Sequence, residues 1–354
     1  MNKQSENKIL KILIFAGGGI GDIIMTIPML RAIRKNYKDS SVWVVVYGEN
    51  LKLLLDKCGY TDFVINLENS DYSGFINKLL LILKLRNYGF THMFLNHIAE
   101  RRSFLVLGFL AGIPNRIGFD RSAYAREKTY NVFIKFLNKK YKYNLGEKLR
   151  TEMNLTLLKE LNINDTDLSY DPALRLTNKV QTNNKSKQPV VGIHPGSQPG
   201  GELKRWDINN FIELAQQINL KFNFRVKFYI GPGENELSLA IGNKFESIIN
   251  KKLQEVIEDI SNCDYFISND SGLSHIAASF GIPSLVIFGP TIKNEYLLPV
   301  DYVTAERNDL HCRPCFHLRR PCPFNHDCMN ITPSQVFNKF IDLVKQSEFR
   351  NSND

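Results

Sequence analysis

No stretch of 18 uncharged apolar residues occurs in the 354-residue chain, which excludes a conventional membrane-spanning helix. The first eight residues are polar and lead directly into a strand-like run, so the pattern of a secretory signal is missing too. Cysteine is scarce, and four of its six copies fall in one short C-terminal stretch, so no disulfide framework is indicated. The net charge is +9, yet no nucleic-acid-binding motif accompanies it. A cytoplasmic protein is expected. Its length exceeds one ordinary domain, and 43% hydrophobic residues are enough for two buried cores.

The charge is unevenly placed. Between Ala99 and Arg150 twelve Lys or Arg face four acids, an excess of eight that is nearly the whole net charge. Tyr124, Tyr130, Phe133, Phe136, Tyr141 and Tyr143 interleave with them. Basic and aromatic residues together suit a lipid–water interface or stacked bases. Without a nucleic-acid motif, an anionic glycolipid is the favoured partner and nucleic acid is not expected. A solvated basic face is the plainer alternative.

Strand-like and helical stretches alternate. Residues 11–15, 42–46, 63–65 and 92–95 read as strands; 23–37, 51–58, 75–86 and 104–110 read as helices, the first kinked by Pro28. Residues 177–188 are polar and read as a linker. Beyond it, strands are expected at 189–193, 226–230 and 265–268, and helices at 209–219, 237–245 and 253–263. Pro333 opens a last helix to 346. The fold class is therefore α/β, with two Rossmann-like domains, 1–176 and 189–331, facing across a cleft, and a C-terminal helix and tail at 332–354.

Three turns and one longer segment carry chemistry. Gly17-Gly18-Gly19-Ile20-Gly21-Asp22 follows a strand and opens a helix, but Asp22 stands where the dinucleotide fingerprint needs its third glycine. A carboxylate there would repel a pyrophosphate, while the helix N-terminus would keep it ionised. A general base fits better than a cofactor cradle; a simple N-cap is the alternative. His194-Pro195-Gly196-Ser197, followed by Lys204-Arg205-Trp206, offers N–H, hydroxyl and ammonium donors. Gly231-Pro232-Gly233-Glu234-Asn235-Glu236 places a carboxylate where it could meet a ribose or cap a helix. Ser268-Asn269-Asp270-Ser271-Gly272-Leu273-Ser274-His275 is a strand, a phosphate-sized turn and a helix start, again with capping by Asp270 as the alternative.

Together these segments resemble the ADP-heptose:lipopolysaccharide heptosyltransferases, glycosyltransferase family nine, over nearly the whole chain. The resemblance rests on residues 18–34, 194–206, 231–234 and 268–278 in that order. It implies a GT-B fold, with the acceptor bound by the first domain and the nucleotide sugar by the second. It also implies inverting, metal-independent transfer of a heptose from a nucleotide diphosphate, ADP-heptose, to a lipopolysaccharide core at the cytoplasmic face of the inner membrane. On this resemblance Asp22 is the general base and Lys204 acts with it in catalysis. Ser197, Glu234 (or Glu236), Asp270, Ser271, Gly272 and His275 bind the donor. Gly19, Gly21, Arg101, Arg102 and Arg121 lie on the acceptor side. Ser197 and Ser271 stand where Ala or Ser and Thr are common, and Ser274 where Met is frequent; no needed chemical group is lost. A nucleotide-sugar epimerase or hydrolase of the same shape, a transferase using another donor or a protein acceptor, and a non-catalytic binder are the alternatives.

Cys312, Cys315, Cys322 and Cys328, with His311, His317 and His326 among them, are dense enough to suggest a structural zinc or iron. Packed reduced thiols are the alternative.

Overall fold

The computed structural model describes residues 9–99, 101–121, 130–170, 188–198, 200–296, 299–313, 315 and 322–352. The chain divides into two compact units, Met1–Ala173 and Leu174–Asp354. Apart from Gln188, the stretch expected as a linker lies outside the described residues.

The first unit runs β1 (Lys11–Phe15), α1 (Ile20–Ile24), α2 (Ile27–Asn36), β2 (Ser41–Val46), α3 (Glu49–Cys58), β3 (Phe63–Asn66) and α4 (Gly74–Tyr88). It continues with β4 (His92–Leu95), α5 (Arg102–Leu110), β5 (Asn115–Asp120), α6 (Tyr130–Phe133), β6 (Lys139–Lys142) and α7 (Arg150–Leu157). The second runs β7 (Val190–His194), α8 (Ile208–Phe222), β8 (Arg225–Ile230), α9 (Asn235–Ile241), β9 (Glu246–Ile249) and α10 (Leu253–Ile260). After it come β10 (Tyr265–Asn269), α11 (Gly272–Ser279), β11 (Ser284–Phe288), β12 (Tyr302–Glu306) and α12 (Pro333–Asn351).

Each unit holds one six-stranded parallel sheet, ordered β3-β2-β1-β4-β5-β6 in the first and β12-β11-β10-β7-β8-β9 in the second. Counted from each unit's own first strand, both follow the order 3-2-1-4-5-6 of the doubly wound fold. Central strands such as KILIF, YFISN and SLVIF are short apolar runs, because a parallel sheet is covered on both faces. Phe15 and Phe104 pack in the first core, and Trp206, Phe211 and Phe340 lie in the second. Among the described residues no helix is long and apolar enough to cross a membrane.

Several expected elements change. Pro28 does not kink one helix: the chain breaks after Ile24, and Pro28 occupies the first turn of α2, where its missing N–H has no cost. The basic stretch conceals strands β5 and β6, whose charged residues mask the apolar alternation. The helix expected to 245 ends at Ile241, with Gly242 following at positive φ, and β9 takes up the chain. The last helix extends to Asn351, started by Thr332 accepting from the Gln335 N–H.

Candidate active site

In each unit most of the candidate residues lie where the strand order reverses, beyond the carboxyl ends of the unit's first and fourth strands; Glu234 and Glu236 instead follow β8, the second strand of their unit. Such switch points leave a crevice between neighbouring loops.

In the first unit Asp22 sits in the first turn of α1. Its Oδ2 accepts from the Gly19 N–H at 2.9 Å, and its Oδ1 accepts from Arg150 Nη1 at 2.8 Å. The His97 Nε2 lies 3.0 Å from the same Oδ1. Gly18 has φ +93°, and a Cβ on it would fall 2.2 Å from an Asp22 oxygen. Glycine there lets the carboxylate fold back on its own turn. Gly21 lies inside α1, its carbonyl accepting from the Met25 N–H.

His97 was not legible as a site residue, yet it is the buried donor that faces Asp22. Asn154 Nδ2 donates to the Met25 carbonyl at 3.0 Å, so Asn154 Oδ1 is the acceptor end of that amide. That oxygen accepts from the His97 backbone N–H at 2.8 Å and lies 3.1 Å from His97 Nδ1. Burial holds the His97 ring below its ordinary pKa and outweighs the hydrogen bond to Asp22, so the ring is neutral at pH 7. At Asp22 burial is outweighed by the hydrogen bond from His97 and the charge of Arg150, which hold the carboxyl well below the usual carboxylate range. With Asp22 ionised, the neutral ring donates its Nε2–H to that carboxylate.

Arg150 was counted in the outward basic patch; it is instead 7% exposed and committed to Asp22. Arg121 donates to the His97 carbonyl at 2.5 Å and stacks over Tyr143, with 3.9 Å to the ring centre. Arg101 lies 4.2 Å over Tyr47, and Arg102 5.9 Å over Phe133. Arg116, Arg121 and Arg150 thus turn inward, while Arg101, Arg102, Lys135, Lys139, Lys140, Lys142 and Lys148 stay exposed; Arg126 and Lys128 lie outside the described residues.

In the second unit Lys204 Nζ donates to Asp270 Oδ2 at 2.7 Å, in a pair that is largely buried. Burial pushes the Asp270 carboxyl up, but the Lys204 ammonium outweighs it and keeps the group ionised; His275, buried on α11, adds in the same direction. Asp270 does not cap α11. The N-cap is Ser271, whose side chain makes no capping bond and whose buried Oγ has no hydrogen-bond partner. A buried orphan hydroxyl beside the unpaired N–H groups at a helix start is a pair of donors without an acceptor.

Glu234 is 4% exposed, and both its oxygens are engaged. Oε1 accepts from the Ser197 N–H at 2.9 Å and Arg205 Nη2 at 3.2 Å, and Oε2 from the Gly231 N–H at 2.8 Å. It staples the turn after β7 to the turn after β8, and it makes no side-chain cap to α9. Ser197 Oγ accepts from Arg205 Nε at 3.0 Å. Glu236, held by Arg205 Nη1 at 3.0 Å and 62% exposed, is the carboxylate of this turn that faces solvent.

Asn269 was also missed. Its Nδ2 donates to the Pro195 carbonyl at 2.7 Å, and its Oδ1 accepts from the Trp206 N–H at 3.0 Å, tying the serine turn to the Lys204 segment.

At the cysteine cluster all six thiols of the chain are free. Among the described residues no three His, Cys, Asp or Glu side chains are disposed to hold a metal, and His317 lies outside them. Burial pushes the Cys328 thiol up to about 11, and Cys312, Cys322 and Cys315 nearby push it the same way; it packs in the core beside Gly289 and Met329.

Two doubly wound units, one presenting an ionised carboxylate and the other an ion pair beside unpaired donors, are the components of a GT-B glycosyltransferase. The family model for glycosyltransferase family 9 (heptosyltransferase) matches residues 81–326, and the chain belongs to that family. It is 26% identical to lipooligosaccharide heptosyltransferase 2 of Campylobacter jejuni subsp. jejuni serotype O:2, over 96% of this chain and 99% of that protein. To lipopolysaccharide heptosyltransferase 2 of Escherichia coli K12 it is 23% identical, over 96% of this chain and all of the relative. The structure of E. coli ADP-heptose LPS heptosyltransferase II superposes with a TM-score of 0.69 at 19% identity, covering 96% of this chain and all of the other.

Proposed function

We propose that this glycosyltransferase moves a heptose from ADP-heptose to a lipopolysaccharide or lipooligosaccharide core, with inversion and without a catalytic metal. Asp22 is its general base. The full-length likeness to proteins named as heptosyltransferases supports the donor and acceptor. The observation that carries the mechanism is Asp22 held ionised at the first switch point by Gly19, His97 and Arg150.

In this reading an acceptor hydroxyl attacks the anomeric carbon as Asp22 takes its proton. The new C–O bond forms as the bond to the diphosphate breaks, and the electron pair leaves with the ADP. Lys204, the Ser271 hydroxyl and the first N–H groups of α11 offset the charge gathering on that leaving group. Asp270 positions Lys204; a carboxylate in contact with the diphosphate would repel it. Glu234 holds the Ser197 turn, and Glu236 is the better placed of the two acids to meet a ribose. Gly19, Gly21, Arg101, Arg102 and Arg121 line the acceptor side, where the acceptor's phosphates would be matched by positive charge. The acceptor is a membrane glycolipid, so the enzyme works at the cytoplasmic face of the inner membrane.

The test is transfer itself: purified protein, ADP-heptose and a heptose-deficient core glycolipid, read by mass spectrometry of the acceptor and by ADP release. A thermal-shift screen against ADP-heptose and common UDP- and GDP-sugars identifies the donor, since a bound donor raises stability by mass action. Stabilisation by a UDP- or GDP-sugar and not by ADP-heptose would overturn the donor assignment.

A further inference from the structure

Helix α4 has a composition unlike the rest of the surface. Its fifteen residues, GFINKLLLILKLRNY, contain three basic side chains and no acid. Only Leu81 and Leu85 are buried. Phe75 is 83% exposed, Ile76 71%, Leu79 47%, Leu80 57% and Leu83 45%. At about 3.6 residues per turn these five fall on one side of the helix, opposite the buried pair. Lys78 and Lys84 flank that stripe on its two edges, both exposed, the Lys84 ammonium lying 4.9 Å over the Phe63 ring, and Arg86 is exposed at the C-terminal end.

A monomeric soluble protein scatters its exposed apolar residues singly. Among its described residues the second unit does so: Leu220, Leu239, Ile249 and Phe349 belong to four different elements, and Phe324 to a loop. Five on one helix face form a surface with a use. The charge distinguishes among occupants. A second copy of this chain, helix against helix, would set Lys78, Lys84 and Arg86 beside the same cations with no acid to balance them, and a protein partner would have to bring both an apolar groove and a rim of acids. An anionic bilayer takes the stripe into its acyl boundary while the lysine ammonium groups reach up to lipid phosphates.

We infer that α4 lies in the surface of an anionic membrane, with Phe75, Ile76, Leu79, Leu80 and Leu83 inserted and Lys78 and Lys84 on the headgroups. The site is distinct from the 99–150 stretch in which a membrane-facing charge was expected. It rests on the reading above only in that both place the enzyme at a membrane.

The test is co-sedimentation of the full chain with phosphatidylcholine vesicles, and with phosphatidylcholine vesicles containing about 30% phosphatidylglycerol. Wild-type protein should bind the anionic vesicles, and added salt should weaken this. Leu79→Ser with Leu80→Ser and Leu83→Ser should lower the partition coefficient at least about tenfold, since each replacement removes apolar surface from the bilayer. Lys78→Gln with Lys84→Gln should cost about tenfold or more on anionic vesicles and little on neutral ones. The positions are exposed, and an unchanged melting temperature and donor-induced thermal shift verify that each variant is folded. Absence of wild-type binding overturns the inference, as does binding that survives the triple serine change. A wild-type dimer that the triple change turns into a monomer, with no vesicle binding, would assign the face to a second copy. If transfer fails with ADP-heptose while vesicle binding follows this pattern, the donor assignment alone is lost.

Discussion

The two units are built on one plan and put to opposite electrostatic use. In the first, register pairs Phe15 with Leu95; in the second, His194 with Ser268. One residue past the fourth strand's last partner, each unit has an asparagine that pins the glycine turn after its first strand. Asn96 Oδ1 accepts from the Gly17 N–H at 3.0 Å, and Asn269 donates to the carbonyls of Pro195 and Gly196. The next residue meets the unit's charged pair: His97 donates to Asp22 in one, and Asp270 accepts from Lys204 in the other. In the first unit a neutral imidazole and the Arg150 cation converge on a carboxylate and keep it ionised. In the second a carboxylate orients an ammonium and leaves the Ser271 hydroxyl without a partner. The lesson is that the scaffold fixes where the polar group after the asparagine sits, and the identity of that residue decides whether it donates or accepts.

The largest effect should come from Asp22→Asn. It removes the proton acceptor, so turnover should fall about 10²- to 10⁴-fold. The donor-induced thermal shift, reporting the second unit, should be unchanged. Retained turnover would break the division of labour between the units. Next is Lys204→Ala, which strands the buried Asp270 charge and should cost about 3–5 kcal/mol in urea unfolding. Adding Asp270→Asn should recover much of that stability and none of the donor binding; equal losses in single and double variants would show that the pair is not coupled.

Gly17→Ala and Gly196→Ala sharpen the structural half of the comparison. A Cβ at Gly17 would lie 2.9 Å from the Ala99 Cα, and one at Gly196 2.0 Å from a Glu234 oxygen. Both should destabilise by about 1–3 kcal/mol, measured by thermal melts. Gly196→Ala should also loosen the Ser197 turn and weaken the donor-induced shift, whereas Gly17→Ala should leave that shift alone.

The smallest effect is a displacement along the pH axis. Asp22 is depressed, so it contributes stability above the ordinary carboxylate value of about 4, and loses it as pH falls through the lower folded value. His97→Gln keeps a weaker donor, and His97→Leu removes the donor. The Asp22 pKa should therefore rise from wild type through Gln to Leu. The acid limb of kcat/KM should move to higher pH in the same order. An acid limb unmoved by both changes would leave His97 with a packing role only.

Periodicity and turn chemistry made most of this molecule legible. Short β-branched runs read as buried strands, and the four glycine- or serine-bearing turns stood out because each interrupts a strand–helix boundary. Strands β5 and β6 did not, since the lysines and arginines that suggested a charged surface also hid the alternation. His97 and Arg150 carry no local signal; one follows a strand and the other opens a helix 53 residues later. The repeat of Asn96-His97 against Asn269-Asp270 was the trace by which His97 could have been found. Glu234 was legible as a carboxylate at a turn but not as a staple, because its partners Ser197 and Arg205 are 37 and 29 residues away.

Residue pattern alone determined that the chain is two α/β units, that Asp22 ends a glycine turn, and that the Asp270-Ser271-Gly272 turn joins a strand to a helix. These follow from local backbone preference and from the period of apolar residues, both written along the chain. Only the tertiary structure decided that Asp22 is kept ionised by His97 and Arg150 and that Lys204 rests on Asp270. It also decided that Arg116, Arg121 and Arg150 of the basic stretch turn inward while an apolar stripe on α4 turns out. Those outcomes depend on which distant side chains share a buried space, where a low dielectric makes each pairing strong and each omission costly.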